Sequence, residues 1–311
     1  MRILFVALVL FAPMFLVHGQ VFRVATWNLE NAFDTVHDVG KDDYEFLPSS
    51  ERKWHGGRYW RKLRGITQTI AAMELPALIG VQEVENDTVL RDLTRRTALW
   101  SARYRYLVTD SPDERGVDVG LLYNPKVFSL IEWKSLSVPA KKYGLRSTRD
   151  MLLASGIVGD DTLHVCVVHF PSQRNDDEAT RRLRSLVSDV LANVLDSLKG
   201  KNVIVMGDFN AEVGDELFSR FSTSLYSLLP QSKQNSNKVR GTYYFRGIWG
   251  YLDHILVSPQ LLPFVKGNAM ECRFLWLLRT KKQIPHRTYG GKNYLGGLSD
   301  HLPLVVDIDM K

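Results

Sequence analysis

The chain has 311 residues, 45% of them hydrophobic and 24% charged, a balance that excludes disordered, collagen-like and low-complexity classes. Forty Lys and Arg against 34 Asp and Glu give a net charge of +6 and a pI near 9.2, an excess that favours anionic partners without choosing among them. Two cysteines, Cys166 and Cys272, are too few for a disulfide framework or a thiolate metal centre.

Residues 1–19 open with Met1-Arg2, run apolar from Ile3 to Val17 with Pro13 as the single break, and end in small residues at Val17 and Gly19. That is the layout of a secretory signal peptide, and the run is short for a membrane span of roughly 20 residues. Cleavage after Gly19 leaves residues 20–311 as one domain, secreted or periplasmic, with no stable membrane insertion. The lost Arg2 brings the net charge to +5. Strand-like runs rich in Val, Ile and Leu then follow at 21–27, 77–81, 117–123, 127–133, 152–158, 163–170, 203–206, 252–257 and 302–308. Helical spacing predicts helices over 58–73, on Leu63, Ile66, Ile70 and Met73, and over 179–198, on Leu183, Leu186, Val187, Val190, Leu191 and Val194. Phe274–Leu278 reads as a core strand. Cys166, inside an apolar run, reads as a small buried hydrophobe. Mixed strands with interspersed helices and no linker predict two packed sheets flanked by helices.

Six of the runs end in oxygen- or imidazole-bearing residues: Thr26-Trp27-Asn28, Val81-Gln82-Glu83, Val168-His169-Phe170, Gly207-Asp208-Phe209-Asn210, Leu252-Asp253-His254 and Ser299-Asp300-His301. Singly, each has an ordinary explanation as a turn former, a cap or a buried histidine. Together they meet the demands of phosphodiester cleavage. Glu83 with Asn28, joined by Asp300, offers hard oxygen ligands to a divalent cation. Asp208 and Asn210 lie two apart in extended chain and share a side, one to orient water, the other to hydrogen-bond a phosphoryl oxygen. His169 and His301 titrate near neutral pH and take direction from a carboxylate on the second nitrogen, with Asp253 and Asp118 as the steering groups. Asp118 stands among apolar strand residues, where an acid is expensive to bury unless paired.

The ordered set Trp27-Asn28-Leu29-Glu30-Asn31, Gln82-Glu83-Val84, Gly207-Asp208-Phe209-Asn210, Leu252-Asp253-His254-Ile255-Leu256 and Ser299-Asp300-His301 resembles the motifs of the endonuclease/exonuclease/phosphatase superfamily, in a secreted, bacterial-type form. That group contains pancreatic-type deoxyribonuclease, exonuclease III, neutral sphingomyelinases and inositol-polyphosphate 5-phosphatases. The resemblance implies a four-layer α/β/β/α sandwich with the site at one edge of the two sheets, and Mg²⁺, Mn²⁺ or Ca²⁺ as cofactor. It makes Glu83 the metal ligand with Asn28 beside it, Asp300 a metal-side contact, and Asp208 the group that orients water. It further makes Asn210 the phosphoryl support and His301 the phosphate contact steered by Asp253. His169 sits where the deoxyribonuclease and sphingomyelinase branches carry histidine and exonuclease III carries tyrosine. Asp118 falls near the carboxylate that pairs with that histidine, and Arg149 resembles a phosphate-contacting arginine, its alternative being a solvated surface charge. One departure is that Tyr251-Leu252 precede Asp253, where the family often has arginine or isoleucine. His254 alternates away from Asp253 and is left out of the site.

The basic segment Arg279–Tyr289, with Tyr294, and Arg174 in the stretch after His169, would track a phosphate backbone and stack on bases. The resulting expectation is an enzyme acting on nucleic acid, DNA favoured, as a monomer without a protein partner. The alternatives are a phosphoesterase for sphingomyelin, a phosphoinositide or another small ester, and, last, a non-catalytic module.

Overall fold

The computed structural model describes residues 22–173, 177–230 and 241–310; the expected leader and Arg174 lie outside them. In chain order the strands of the two large sheets are β1 (Phe22–Ala32), β2 (Leu78–Val84), β3 (Arg105–Val108), β4 (Asp118–Tyr123), β5 (Ser129–Leu136), β6 (Met151–Val158), β7 (Asp161–His169), β8 (Asn202–Asp208) and β9 (Tyr226–Ser227). A small hairpin of β10 (Tyr243–Phe245) and β11 (Ile248–Gly250) precedes β12 (Asp253–Val257) and β13 (Val265–Glu271). The segment between β13 and the last strand (Leu304–Ile308) carries two-residue pairings only, so that strand is β14 here. One sheet has the order β13-β14-β1-β2-β4-β3, the other β5-β6-β7-β8-β12-β9.

Alternation along the strands sorts the core into layers. Phe22 and Val24 of β1, Leu163, Val165 and Val167 of β7, Ile204 and Met206 of β8, and Ile255 and Val257 of β12 fill the space between the sheets. Their neighbours point outward. Ala25, Trp27 and Leu29 meet α1 (Gly56–Ala72) and α2 (Asp87–Arg95), while Cys166, Val168, Val203, Val205 and Leu256 meet α3 (Glu178–Ser197). Strands buried on both faces read as nearly continuous apolar runs, as these do. The result is the expected α/β/β/α sandwich.

All nine expected strands and both expected helices are present. On α3 the deeply buried stripe is Leu183, Val187, Leu191 and Leu195, with Leu186, Val190 and Val194 half-buried beside it. Sequence reading missed α2, although Asn86 caps it by accepting from Val89 N–H at 3.2 Å, and it missed the edge strands β3 and β13, whose exposed faces break the apolar pattern. Phe274–Leu278 corrects the expectation of a core strand. It is a short helical turn in which Leu275 is 78% exposed and Leu277 and Leu278 are buried. Cys166 is buried, and both cysteines are free thiols.

His254 shows what the outward face of β12 does with a polar residue. Its Nε2 lies 2.7 Å from the Ala211 carbonyl, so Nε2 carries the proton and donates. Nδ1 is buried without a partner among Phe209 and Phe218, and burial pushes the pKa down to about 4. Such a depressed histidine stabilises the fold above its unfolded pKa, and that contribution is lost as pH falls from about 6.5 through about 4, by about 3 kcal/mol in full. Replacing His254 with Gln, which keeps a donor for Ala211, is expected to flatten the fall of melting temperature between pH 6.5 and 4. An unchanged slope in scanning calorimetry would exclude this account.

Candidate active site at the mouth of the inter-sheet core

The same alternation that places apolar residues between the sheets places the polar ends of the strands there too. Asn28 continues the series Phe22, Val24, Thr26; His169 continues Leu163, Val165, Val167; Asp208 continues Ile204, Met206; and Asp253 continues Ile255, Val257. Each series ends at the same edge of the sandwich, so four side chains from two sheets meet. Asn28 Nδ2 donates to Asp208 Oδ2 at 3.0 Å across the gap between the sheets. His169 Nε2 lies 3.6 Å and His301 Nε2 3.9 Å from the same oxygen. Asp253 accepts from His301 Nδ1 at 2.8 Å. Asp208, Asp253 and His301 bring their ligand atoms within 4.8 Å of one another.

Local backbone devices aim these groups. Gly207 has φ +146°, and a Cβ there would stand 1.9 Å from the Val168 carbonyl oxygen, so only glycine lets β7 and β8 close up just before His169 and Asp208. Asn210 has φ 48°; its N–H donates to Asp208 Oδ1 at 2.8 Å, and one Nδ2 hydrogen goes to the Phe170 carbonyl at 3.0 Å. Glu83 by parity would face outward. A shift of register between Gln82 and Val84, with Glu83 at φ 58°, turns it, and Asn31 N–H holds its Oε2 at 2.9 Å. A matching irregularity in β1 sets Glu30 and Asn31 at positive φ beside it.

His301 is fixed on every side. Its carbonyl accepts from Trp27 Nε1 at 3.0 Å, its N–H donates to Ser299 Oγ at 3.0 Å, and Ser299 Oγ donates to the Asn28 carbonyl at 2.6 Å. Burial alone would depress its pKa, but Asp253 and Asp208 overcome this and hold it well above the ordinary value. His169 goes the other way, pushed well below the ordinary value by burial and then by Arg149, Arg115 and His301. Asp208 is raised to about 7, chiefly by burial. The surroundings thus favour the charged form of His301 and the neutral form of His169, on either side of the shared Asp208 side chain.

Two expected residues sit differently. Asp118 does not steer His169. Val119, Leu121 and Tyr123 of β4 face the inter-sheet core, so Asp118 faces away, taking Thr109 Oγ1 at 2.5 Å and Ser111 N–H at 2.9 Å, and His169 Nδ1 has no hydrogen-bond partner among the described residues. Arg149 is buried rather than solvated; it donates to Asp113 Oδ2 at 3.3 Å and to the Phe170 carbonyl at 2.9 Å, behind the His169 strand end. Asp300 is engaged by Arg287 at 2.5 Å. Sequence reading missed the network that follows from this. Arg287 Nε also reaches Glu30 Oε1 at 3.3 Å, Thr288 N–H donates to Glu30 Oε2 at 2.6 Å, and Lys62 Nζ donates to the carbonyls of Glu30 and Leu298 at 2.6 and 2.9 Å and to Thr288 Oγ1 at 2.8 Å. Burial lowers Lys62 to about 8 and raises Glu30 to about 7. The available signal was a lysine one residue from Leu63 on the buried side of α1. Arg184 was also missed: Nη1 donates to the carbonyls of Pro171, at 2.5 Å, and Phe209, at 3.4 Å, joining the two chain segments that leave His169 and Asp208.

A sequence model of the Endonuclease/Exonuclease/phosphatase family matches residues 23–310. The chain belongs to that family and is a phosphoric ester hydrolase; enzymes of the family generally depend on a divalent metal. No curated protein matched the sequence. Among solved structures, the catalytic domain of human nocturnin with bound sulfate shares 22% identity over 92% of this chain and 93% of its own, with a TM-score of 0.59. Zebrafish TDP2 humanised by 14 mutations shares 15% over 93% and 99%, with a TM-score of 0.61. A mannosyl-6-phosphatase of Bacteroides thetaiotaomicron shares 17% over 92% and 98%, with a TM-score of 0.60. At these identities the likeness is one of fold.

The Asp253–His301 pair is open to a direct test. Asp253→Asn keeps the volume of the side chain but removes the charge that raises the His301 pKa, so kcat for phosphoric ester hydrolysis is expected to fall about 100-fold or more. The melting temperature at neutral pH should fall, because the charge that holds His301 above its ordinary value is lost from a buried pair. A kcat within about 3-fold of wild type would remove the pair from the reaction.

Proposed function

We propose that the chain is an exported, divalent-metal-dependent phosphodiesterase that hydrolyses nucleic acid, DNA foremost, by in-line attack of water. The observation that carries this reading is the convergence at the mouth: Asn28 Nδ2, His169 Nε2 and His301 Nε2 lie 3.0, 3.6 and 3.9 Å from one buried Asp208 oxygen, with Asp253 2.8 Å from the other ring nitrogen of His301. A phosphate diester needs that pattern to neutralise its developing charge and to move one proton. Arg279, Lys281 and Lys282 are exposed and add basic surface that an anionic polymer would meet. Tyr289 and Tyr294 do not contribute stacking faces there: they pack on each other, with Arg58 4.2 Å over the Tyr294 ring.

The residues fit a hard cation. Glu83 has one carboxylate oxygen free of Asn31, Asn28 Oδ1 accepts from Glu30 N–H at 2.9 Å and from no other described residue, and the Asp300 oxygen not used by Arg287 lies 4.0 Å from His301 Nε2. Glu83, Asn28 and Asp300 would hold it, and it would act as a Lewis acid on the phosphoryl oxygens. In this scheme Asp208 orients the attacking water and takes its proton. His301 Nε2–H and the second Nδ2 hydrogen of Asn210 hold the phosphoryl oxygens as charge gathers there. As the bond to phosphorus breaks, the leaving ester oxygen takes the His301 Nε2 proton, and the proton that Asp208 received restores His301; His169, neutral beside Asp208, can only accept. Mg²⁺, with Mn²⁺ or Ca²⁺ as substitutes, is the ion proposed.

A lipid-borne or small phosphate ester is the second reading, and one observation favours it: Leu275 and Trp276 are exposed beside the basic residues of the 279–282 segment. A side-by-side screen separates the two. Protein beginning at Gln20 is expected to nick plasmid DNA with Mg²⁺ at low salt, to stop on chelation, and to weaken linearly in log rate against log salt. Intact plasmid alongside hydrolysed sphingomyelin or inositol phosphate would transfer the assignment to the second reading. Export has its own test. N-terminal sequencing of protein recovered from the periplasm or medium should begin at Gln20, and an intact Met1 start on soluble intracellular protein would rule export out.

A further inference from the structure

The β10–β11 hairpin stands against the reacting centre, yet nothing in the scheme above uses it. Tyr243 is bridged to His301 through the backbone, and their rings lie 4.7 Å apart at 37°. Phe245, two residues on and therefore on the same face, lies 6.4 Å from the Tyr243 ring at 19°, nearly parallel. A row of three rings thus runs outward from the catalytic imidazole. Its far end reaches solvent, with Phe245 46% and its cross-strand neighbour Ile248 74% exposed and the side chain of Arg246, itself at the surface, as the cover a base would displace from the Phe245 ring.

The hairpin is rigid and does not need those side chains for its own packing. Its other face carries Tyr244 and Trp249, 5.3 Å apart, with Arg273 4.7 Å over the indole. Its base is clamped: a Cβ on Gly241 would stand 2.3 Å from the Gly250 carbonyl oxygen, and Leu302 N–H donates to the Thr242 carbonyl at 2.7 Å. Its tip is a two-residue turn with Arg246 at φ 49° and Gly247 at φ 94°. Asparagine or glycine is the usual first residue of such a turn. Arginine there accepts backbone strain and sets its guanidinium 5.1 Å over the Phe245 ring.

We infer that this hairpin is a base-stacking platform: Phe245 takes the face of an unpaired nucleobase next to the scissile phosphate, so the preferred substrate is single-stranded or locally unstacked nucleic acid. The inference rests on the nucleic-acid reading above and sharpens it. A duplex base is already stacked on both faces and offers none to Phe245, whereas an unpaired base gains one by stacking. Proximity to His301 favours this occupant over a membrane, because the ring row leads into the reacting centre instead of projecting from a plane of apolar residues around it.

The test pairs a change in the protein with a change in the strand. One single-stranded oligodeoxynucleotide carries a base beside the cleaved linkage, and its twin carries an abasic residue there. In the wild type kcat/KM should favour the base-bearing strand, and Phe245→Ala should shrink that ratio by about 5- to 100-fold, the range of one base–aromatic stack. Phe245→Trp should restore it, and Phe245→Leu, apolar without a π face, should not. A ratio unchanged in Phe245→Ala, or restored as well by Leu as by Trp, overturns the platform and leaves the nuclease reading standing. Failure of the wild type to cut any strand, while plasmid and duplex controls also stay intact, overturns both. Flotation of the wild type with phosphatidylcholine vesicles, lost in Phe245→Ala alongside an unchanged strand ratio, would instead assign the hairpin to a lipid surface.

Discussion

The contact between Asp253 and His301 is the interaction on which the site is built. Both groups are buried, and a carboxylate taken out of water alone would be neutral. At 2.8 Å from the Asp253 carboxylate, His301 is held well above the ordinary imidazole value in spite of its burial. The charged His301 then offsets part of the burial of Asp208, which Asn28 reaches from the opposite sheet. Remove the Asp253 charge and each later step weakens in turn: His301 loses its proton more readily, and Asp208 becomes a lone buried acid. Such clusters are a poor source of stability, and the catalytic role proposed above is consistent with that.

Two sheets packed face to face make the arrangement possible. The inward series of β1, β7, β8 and β12 point at the same slot, so side chains far apart in sequence arrive together. The slot is walled on one side by the β1–β2 edge, with Glu83 and Asn28, and on the other by β7, β8 and β12. The segment carrying Asp300 and His301 closes it from the end. Lys62, Glu30 and Arg287 hold that closing segment to β1, which explains charged groups on the buried face of a helix and in a strand.

Most of this was legible from alternation. Asn28, His169, Asp208 and Asp253 each extend an apolar series by one more step on the inward face, and His254, one position out of phase, packs outward as its phase requires. Asp118 fails by the same rule, since Val119 and Leu121 claim the inward face. Glu83 is the reverse case, facing the slot only because its strand bulges, and no spacing in the sequence encodes a bulge. Arg149, Arg184 and Lys62 were opaque for another reason. A cation is buried only when particular carbonyls and carboxylates converge on it, and those come from segments that neighbour it in space alone. The hydrophobic Phe274–Leu278 run misled because length and composition alone cannot say whether a partner strand exists.

Arg184 carries a consequence of its own. A single guanidinium nitrogen grips the peptide oxygens that follow both His169 and Asp208, so these two stretches shift together or not at all. Any widening to admit a bulkier ester therefore falls to the opposite bank, the one hung on β1, its bulge and the Lys62 anchor. One jaw of the cleft is a fixed anvil, and differences in which molecules enter are written in the other.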